Sequence, residues 1–304
     1  MFKKIEVSVT TMLKRKLSKA SLASAASKNF KSSDKNEVLN LSAENSPPSD
    51  KSEYFPNSDS ALSFEQKFLN IQLELNSFLK PLTFKSPVAY VYNPVEYAYK
   101  ANEKYIMQYC KGPKKLLFVG MNPGPFGMCQ TGVPFGEIKI VRDWLKIEEE
   151  VGKPEKECPK KPVLGFACPR SEVSGDRLWN VFKKVCGTPE VFFKHCFVYN
   201  YCPIALLKSD GSNLTPSDIK DSQELEDICD KYYFRIIQLL QPEIIVGIGR
   251  YAEKRTLTVL KSNSCDIQVL CLVHPSPRVV NNQNWPQKAE TFLKGKDLLK
   301  YMTN

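Results

Sequence analysis

The chain has 304 residues, of which 42% are hydrophobic and 11% aromatic, enough to build one large α/β domain with an attached tail. Its formal net charge of +10 favours an anionic partner such as nucleic acid. No apolar run reaches the roughly 18 residues that a membrane span needs, so we expect no membrane partner. The ten cysteines contain no C-x-x-C pair. We therefore expect no metal site. We also expect an intracellular chain with reduced thiols, no cofactor and a monomeric state.

Residues 1–60 are rich in Ser, Lys and Ala and low in aromatics, which is typical of a disordered tail. The basic cluster Lys14–Lys16, with Lys19 close behind, predicts a nuclear address, and a merely solvated basic tail is the alternative. A mitochondrial presequence also stays open, because Met1–Phe30 is basic and hydroxylated with a single acidic residue. Residues 61–304 are expected to form one folded domain.

The folded part alternates helix-like and strand-like segments, beginning with an amphipathic helix from about Ser63. Four apolar runs are predicted strands: Leu116–Met121, Phe192–Tyr199, Glu243–Ile248 and Ile267–Val273. The further predicted helices are Glu137–Trp144, Glu172–Val185, Ser217–Leu240, Arg250–Leu260 and Gln287–Tyr301. This alternation predicts an α/β fold of three layers, with a central, mostly parallel four-stranded sheet and helices on both faces. In such sheets ligands gather at the carboxyl ends of the strands.

The first strand leads directly into a loop with three glycines and two prolines, Gly120–Gly127. Glycine and proline fix a tight turn and let backbone approach a ligand. No Gly-Lys-Ser/Thr follows, so this is not the loop of a P-loop nucleotide site. A simple turn after the strand is the alternative. The polar Asn122 and a second Gly/Pro turn at Gly132–Gly136 favour a loop that binds a ligand. Together the two turns would present one amide and the ring of Phe135 over one crevice.

The second and fourth strands also end in polar residues. Asn200 follows the second strand, and its amide offers both a donor and an acceptor, although an isolated asparagine is more often a turn residue. His274 ends the fourth strand within the loop His274–Arg278, which has two prolines, and we expect it to be functional. The other histidine, His195, lies inside a predicted strand, and we expect a satisfied core residue there.

Two stretches together identify a family: Gly120–Gly136, GMNPGPFGMCQTGVPFG, and His274–Arg278, HPSPR. Their pairing closely resembles the single-strand-selective monofunctional uracil-DNA glycosylases, whereas related uracil glycosylases usually share one of the two. Shorter stretches agree: Val91–Tyr97, Ser171–Gly175, Pro189–Asn200, Asn213–Pro216 and Val246–Arg250. The resemblance covers roughly residues 85–300. It implies the uracil-DNA glycosylase fold and an enzyme that excises uracil and oxidised, 5-substituted uracils from single- or double-stranded DNA.

The resemblance also implies roles at the centre of the site. Asn122 would hold the attacking water, and His274 would stabilise negative charge on the departing base. Phe135 would stack on the flipped base, and Asn200 would read its Watson–Crick edge. Elementary chemistry agrees, because a base inside a duplex must be flipped out before it can be read. Uracil leaves as an anion, so a hydrogen-bond donor aimed at it lowers the barrier.

Further residues would line the pocket and contact DNA. The resemblance implies that Gly124 and Met128 shape the pocket beside position 5 of the ring. From Pro277 onward the second loop would form a wedge that enters the duplex, with Arg278 contacting DNA. After Arg278 the family usually continues with Asn-Pro and a small polar run, whereas this chain has Val279–Val280. A pair of valines suits an apolar wedge.

Two alternative functions remain open. A mismatch-directed uracil/thymine glycosylase shares a GxNPG-type first loop, but its second loop normally lacks the histidine found at His274. A catalytically inactive nucleic-acid-binding relative would fit the basic charge, but it would not need Asn122, Phe135 and Asn200 together. Neither catalytic loop contains a lysine that could form a Schiff base with the sugar, so we expect no strand cleavage.

Overall fold

The computed structural model describes residues 62–219 and 222–303. Its helices are α1 (Phe64–Leu79), α2 (Pro94–Tyr97), α3 (Tyr99–Tyr109), α4 (Met128–Thr131), α5 (Val173–Cys186), α6 (Pro189–His195), α7 (Gln223–Leu240), α8 (Arg250–Ser262) and α9 (Trp285–Gly295). Its strands are β1 (Tyr90–Tyr92), β2 (Leu116–Gly120), β3 (Cys196–Asn200), β4 (Ala205–Leu207), β5 (Asn213–Leu214), β6 (Ile244–Ile248) and β7 (Gln268–Leu272). The predicted tail, residues 1–60, lies outside the described residues.

Four parallel strands in the order β3-β2-β6-β7 form the central sheet. Every residue of β2 and of the edge strand β3 is buried, whereas β7, at the opposite edge of the sheet, is partly exposed. Strands buried on both faces need helices on both faces. The parallel four-stranded sheet and the three-layer architecture are therefore confirmed, although one of the predicted strands begins later than expected.

Helix α1 covers one face of the sheet. Its start is fixed by Ser63, whose side chain accepts the N–H of Gln66 at 3.2 Å while its own N–H donates to Gln66 Oε1 at 2.9 Å, a capping box that satisfies two helix-end donors. The buried ring of Phe68 then packs edge-on against Phe197 of β3, with 5.6 Å between the centroids.

Helices α5 and α6 cover the opposite face. Phe118 of β2 lies beside Val198, so its ring points away from the face that carries Phe197. It packs on Phe182 of α5, centroid to centroid 4.8 Å, and Phe182 stacks on Phe192 of α6 at 4.6 Å. This aromatic cluster positions the first turn of α5 near the ends of the strands.

The predicted strand Phe192–Tyr199 was wrong in its first half. Thr188 is extended and Pro189 occupies the first turn of a helix, so the chain forms α6 up to His195 and β3 begins only at Cys196. Proline at this position is preorganised for a helix, which overrides the β preference of the aromatic residues. His195 is consequently not a core residue of a strand; it is half-buried at the end of α6.

Several other boundaries differ from the sequence-based prediction. The helix predicted at Glu137–Trp144 contains a π-helical turn, Ile140–Trp144, and the last helix, α9, ends at Gly295 before a short 3₁₀ turn at Leu299–Tyr301. Strands β1, β4 and β5 form a second, antiparallel sheet that was not predicted. Among the described helices, none is long and apolar enough to cross a membrane.

Candidate active site

The carboxyl ends of the parallel strands meet at one edge of the central sheet. Gly120 ends β2 directly opposite Asn200, which ends β3. Gly249 follows β6, and its N–H donates to Leu272 O at 2.8 Å, which extends the pairing of β6 and β7. His274 lies two residues beyond β7. The residues that the sequence singled out on separate strands are therefore collected at one edge.

The first loop, Gly120–Gly127, is held by its own backbone and by one buried side chain. The N–H of Gly127 donates to Gly124 O at 3.2 Å, which closes a turn. Gln130, fully buried in α4, donates from Nε2 to the carbonyl of Pro125 at 2.9 Å. Half-buried Asn122 donates from Nδ2 to the carbonyl of Leu214 in β5 at 3.4 Å. This contact orients the amide and leaves its Oδ1 as an acceptor for a ligand.

Phe135 is held in an unusual backbone conformation above the sheet edge. Its φ is 53°, in the left-handed region that bulky residues rarely adopt. The first turn of α5 supports this conformation, because Gly175 approaches so closely that a Cβ there would lie 2.0 Å from Phe135 O. The ring covers Gly120, where a Cβ would lie 2.5 Å from the ring. Its centroid is 6.1 Å from that of His274, with 43° between the planes.

Asn200 carries a buried hydrogen-bonding group without a partner. The residue is only 4% exposed, and its Oδ1 accepts no hydrogen bond from any described residue. Its Nδ2 lies 3.2 Å from the sulfur of Met128, a weak acceptor. Oδ1 points over Gly120, since a Cβ there would lie 2.3 Å from it. An unpaired buried acceptor costs about 1–3 kcal/mol, so this amide is suited to a ligand that supplies an N–H.

His274 is a neutral hydrogen-bond donor that lies beside the ring of Phe135. Burial lowers its pKa to about 4, so the ring is uncharged at neutral pH. Its Nδ1 accepts the N–H of Ser276 at 3.1 Å. An acceptor nitrogen carries no proton, which places the single ring proton on Nε2. The ring packs beside Gly249, where a Cβ would lie 3.3 Å from His274 Cβ. The imidazole can thus donate one hydrogen bond without introducing a charge.

The second loop is braced by residues that sequence reasoning missed. Buried Asn282 donates from Nδ2 to His274 O at 2.9 Å and to Ser276 O at 3.0 Å. Arg177 of α5 donates to Pro275 O at 3.0 Å. The indole N–H of Trp285 donates to Val273 O at 2.6 Å. Such bracing holds a functional side chain within the narrow tolerance that catalysis needs.

Glu172, at the start of α5, packs beneath the first loop. Added Cβ atoms at Gly124 and Gly127 would lie 2.6 Å and 2.8 Å from its side chain, so the two glycines make room for this carboxylate. Burial raises the pKa of Glu172, while the N–H groups of Ser174 and Phe126 and the charge of Arg278 oppose the rise. Glu172 belongs to the stretch Ser171–Gly175 that resembles the family, but nothing in the local sequence indicated that its side chain contacts the first loop.

The residues predicted to contact DNA lie on the surface of the second loop. Pro277 and Arg278 are exposed, and Val280 is 83% exposed. The N–H of Val279 donates to Ser276 O at 3.2 Å, so the loop turns back at this point and presents its tip to solvent. An exposed apolar tip beside an arginine has the composition of a wedge for nucleic acid.

Metal ligands are not grouped in the part of the chain that the structure describes: it contains no cluster of three or more His, Cys, Asp or Glu side chains that could hold a metal ion. All ten cysteines are free thiols, and the eight that are buried pack in the core. The groups that meet at the sheet edge are the amides of Asn122 and Asn200, the ring of Phe135 and the neutral imidazole of His274.

Comparison with known proteins identifies the family. Residues 107–298 match the uracil DNA glycosylase superfamily. The single-strand selective monofunctional uracil-DNA glycosylase of Rattus norvegicus is 49% identical over 247 residues, covering 80% of this chain and 89% of the rat protein. That of Bos taurus is 49% identical over 245 residues, covering 80% and 90% respectively.

A solved structure is similar in fold. The crystal structure of wild-type Pedobacter heparinus SMUG2 superimposes with a TM-score of 0.56 at 18% identity, covering 78% of this chain and 99% of that one. At this identity the similarity supports the fold alone. The sequence relatives carry the family assignment, and they confirm the family predicted from the two loops. The chain belongs to the single-strand selective monofunctional uracil-DNA glycosylases, which are hydrolases of the N-glycosidic bond in DNA.

Proposed function

We propose that this enzyme excises both uracil and 5-substituted uracils, such as 5-hydroxymethyluracil, from single- and double-stranded DNA, leaving an abasic site for base-excision repair. The observation that carries the proposal is the unpaired, buried Oδ1 of Asn200 beside the ring of Phe135. Uracil offers an N3–H donor next to the O4 acceptor, which one carboxamide can match with both of its polar groups. Cytosine has an acceptor at N3 and a donor at N4, so it mismatches both.

Stacking would help to keep the base out of the helix. Flipping a base costs a few kcal/mol, and stacking on an aromatic ring returns about 1–3 kcal/mol. Phe135 is held rigidly by Gly175 and Glu137, whose N–H donates to Phe135 O at 2.7 Å. The ring of Phe135 would therefore lose little conformational entropy when the base binds.

Cleavage breaks the bond between C1′ of the sugar and N1 of uracil, and the electron pair leaves with the base. The Nε2–H of His274 would donate to the O2 of the departing uracil anion, where negative charge develops. Water held by Asn122 Oδ1 would add to C1′ and lose its proton to solvent. A carboxamide does not titrate usefully, so Asn122 would act by positioning rather than as a base.

Tolerance at position 5 is the finer part of the proposal. Met128 contacts the Nδ2 of Asn200, the group proposed to read O4, and C5 is the ring atom next to C4. Its flexible thioether can adapt to substituents of different size. Gly124 would contribute backbone rather than side chain, because its missing Cβ faces Glu172.

The second loop would bind DNA. Arg278 would contact the backbone phosphates, and Pro277 and Val280 would enter the DNA duplex. Their exposure and the apolar character of the tip support this. A lysine or arginine on phosphate makes binding salt-dependent.

Release of free base from defined oligonucleotides tests the proposal. The substrates would carry uracil in a single strand, uracil opposite guanine, 5-hydroxymethyluracil in a duplex, thymine opposite guanine, or cytosine, all in buffer with EDTA. We expect release from the first three and negligible release of thymine and cytosine. Preferred release of thymine would favour a mismatch-directed enzyme, and binding without release would favour an inactive relative. Loss of activity in EDTA would contradict a metal-free mechanism.

We also propose that the full chain is nuclear and monomeric. Its support is the basic cluster Lys14–Lys16 and the net positive charge of the chain. A fluorescent fusion with Lys14, Arg15 and Lys16 replaced by alanine should leave the nucleus, whereas mitochondrial fluorescence of the unaltered fusion would favour a presequence. Sedimentation at several concentrations would test the monomer.

A further inference from the structure

Phe126, in the first loop, carries two cations over its ring. The guanidinium carbon of Arg170 lies 4.1 Å from the ring centroid, and Lys161 Nζ lies 4.3 Å from it. Both distances are well inside the roughly 6 Å at which a cation–π interaction is effective. Arg170 is exposed, whereas Lys161 and Phe126 are half-buried, so charge and ring both reach solvent. We call Phe126, Lys161 and Arg170 the cation platform.

Gln130 builds the platform into the fold. Its buried Nε2 donates to the carbonyl of Pro125, the residue before Phe126, at 2.9 Å, and to the carbonyl of Pro162, the residue after Lys161, at 3.1 Å. Its Oε1 accepts two further N–H groups from the segment that follows, at 2.8 Å and 3.1 Å. One fully buried amide therefore uses its hydrogen bonds to hold the two loops together, which preorganises the charges that they carry.

Within the described part of the chain, the two charges are not neutralised by salt bridges. Neither Lys161 nor Arg170 forms an ion pair with a carboxylate in residues 62–219 or 222–303. Glu172, which contacts the same loop, forms no salt bridge with Lys161 or Arg170 among these residues. The platform thus presents two positive charges at a fixed spacing, which fits an anionic ligand rather than a structural ion pair.

We propose that the cation platform binds a backbone phosphate of the DNA strand that carries the flipped nucleotide. This inference rests on the proposed function, because that function places a flipped nucleotide at Asn122. Phe126 is the fourth residue after Asn122, so their Cα atoms are at most about 14 Å apart. Phosphates rise about 3.4 Å per nucleotide along a strand, which puts the platform within about four nucleotides of the flipped one. Arginine supplies a planar fork for the phosphate oxygens, and lysine supplies a point charge.

The salt dependence of DNA binding tests the proposal. The probe is a single-stranded oligonucleotide with one 2′-fluorinated deoxyuridine, which resists glycosidic cleavage, bound to the full chain at several salt concentrations. In the double variant Lys161→Ala/Arg170→Ala we expect the slope of log K against log salt to become shallower by about 0.7 for each phosphate that the protein no longer neutralises. Lys161→Arg/Arg170→Lys keeps both charges and should keep the slope.

A matched control comes from α7. Lys231 is also an exposed lysine over aromatic rings, 5.3 Å from the centroid of Phe78 and 5.4 Å from that of Tyr232, but it lies on a helix rather than on a pocket loop. Lys231→Ala should leave the slope unchanged. Phe126→Leu keeps apolar bulk but removes the ring, and it should weaken binding about two- to fivefold.

The outcomes separate this inference from the function on which it rests. An unchanged slope in the double variant would overturn the platform even if uracil release were normal. A lower melting temperature and turnover with an unchanged slope would also overturn it, because the trio would then only support the loop. A wild-type chain that released no uracil would contradict the proposed function, whereas the slope measurement needs only DNA binding.

Discussion

Asn200 occupies the space that a side chain at Gly120 would fill. The two residues are partners across β2 and β3, and a Cβ at position 120 would lie 2.3 Å from Asn200 Oδ1 and 2.5 Å from the ring of Phe135. Contacts this short are not tolerated without displacement of one group. The glycine therefore lets the amide and the ring converge over the end of the strand.

The Gly120→Ala variant should separate these two groups. We expect uracil release to fall at least tenfold, because displacement of a positioning group by about 1 Å can cost a factor of about 100. The fold should survive, since the clash lies at the strand end. Single-turnover cleavage together with thermal unfolding measures this. Gly295→Ala is the control, because a Cβ there meets nothing within 4 Å. Wild-type cleavage in Gly120→Ala would argue against the proposed pocket.

The Asn200→Asp variant should weaken discrimination between uracil and cytosine. The change keeps the size of the side chain but replaces the Nδ2 donor with an acceptor, so an ionised carboxylate cannot donate to O4. Competing release of uracil and cytosine from otherwise identical strands gives the ratio. An unaltered preference would remove Asn200 from the reading role.

Much of this site follows from local sequence. The four apolar runs predicted the strands of the central sheet, and the rule that ligands gather at carboxyl ends placed Asn200 and His274 at one edge. In the structure both residues lie at that edge. The apolar pattern gave the wrong secondary structure for Phe192–His195. There Pro189 starts a helix, α6, which continues to His195.

The residues that brace the site could not be predicted in this way. Glu172, Gly175 and Arg177, at the start of α5, contact three different loops, and those contacts span large separations in sequence. The same holds for Gln130, which joins Pro125 to Pro162. Short strands such as β1 and β5 were missed because two or three residues carry no periodic signal.

Stability should fall between pH 6.5 and pH 4 because of His274. Its pKa is about 4 in the folded chain and about 6.5 in an unfolded one. As the pH falls, the unfolded chain therefore binds the proton first, and the free energy of unfolding decreases. Urea denaturation at pH 7 and pH 4.5 should show a smaller difference for His274→Gln than for the wild type. His195→Gln is the comparison variant: burial, with the charges of Lys194 and Lys114, also lowers the pKa of His195, but this histidine is only half-buried, so its replacement should reduce the difference less than His274→Gln does. Equal differences for wild type and His274→Gln would contradict the burial of a neutral ring.

Removal of residues 1–60 should leave catalysis nearly intact. The shortened chain keeps Ser63 and Gln66, whose capping box starts α1, and every residue assigned to the pocket. Turnover on single-stranded uracil DNA measures the effect. Removal of residues 1–67 is the contrasting variant, because it deletes the cap and should lower the melting temperature. A large loss of turnover in the first truncation would contradict this division of the chain.

His274 carries the central claim, because it is the proposed donor to charge that exists only as the base departs. A group that acts mainly in the transition state changes turnover and leaves substrate affinity nearly unchanged. Removal of one such donor typically lowers the rate by about 100- to 1000-fold. Arg278→Ala should show the opposite pattern, with weaker binding, because its proposed partner is a phosphate.

The decisive measurement pairs single-turnover cleavage with equilibrium binding for His274→Ala on uracil-containing DNA, at one stated salt concentration. We expect cleavage to fall by about 100-fold or more, while the dissociation constant changes by less than about threefold. Equal losses of cleavage and binding, or cleavage at the wild-type rate, would contradict the leaving-group role and make His274 a structural residue of its loop.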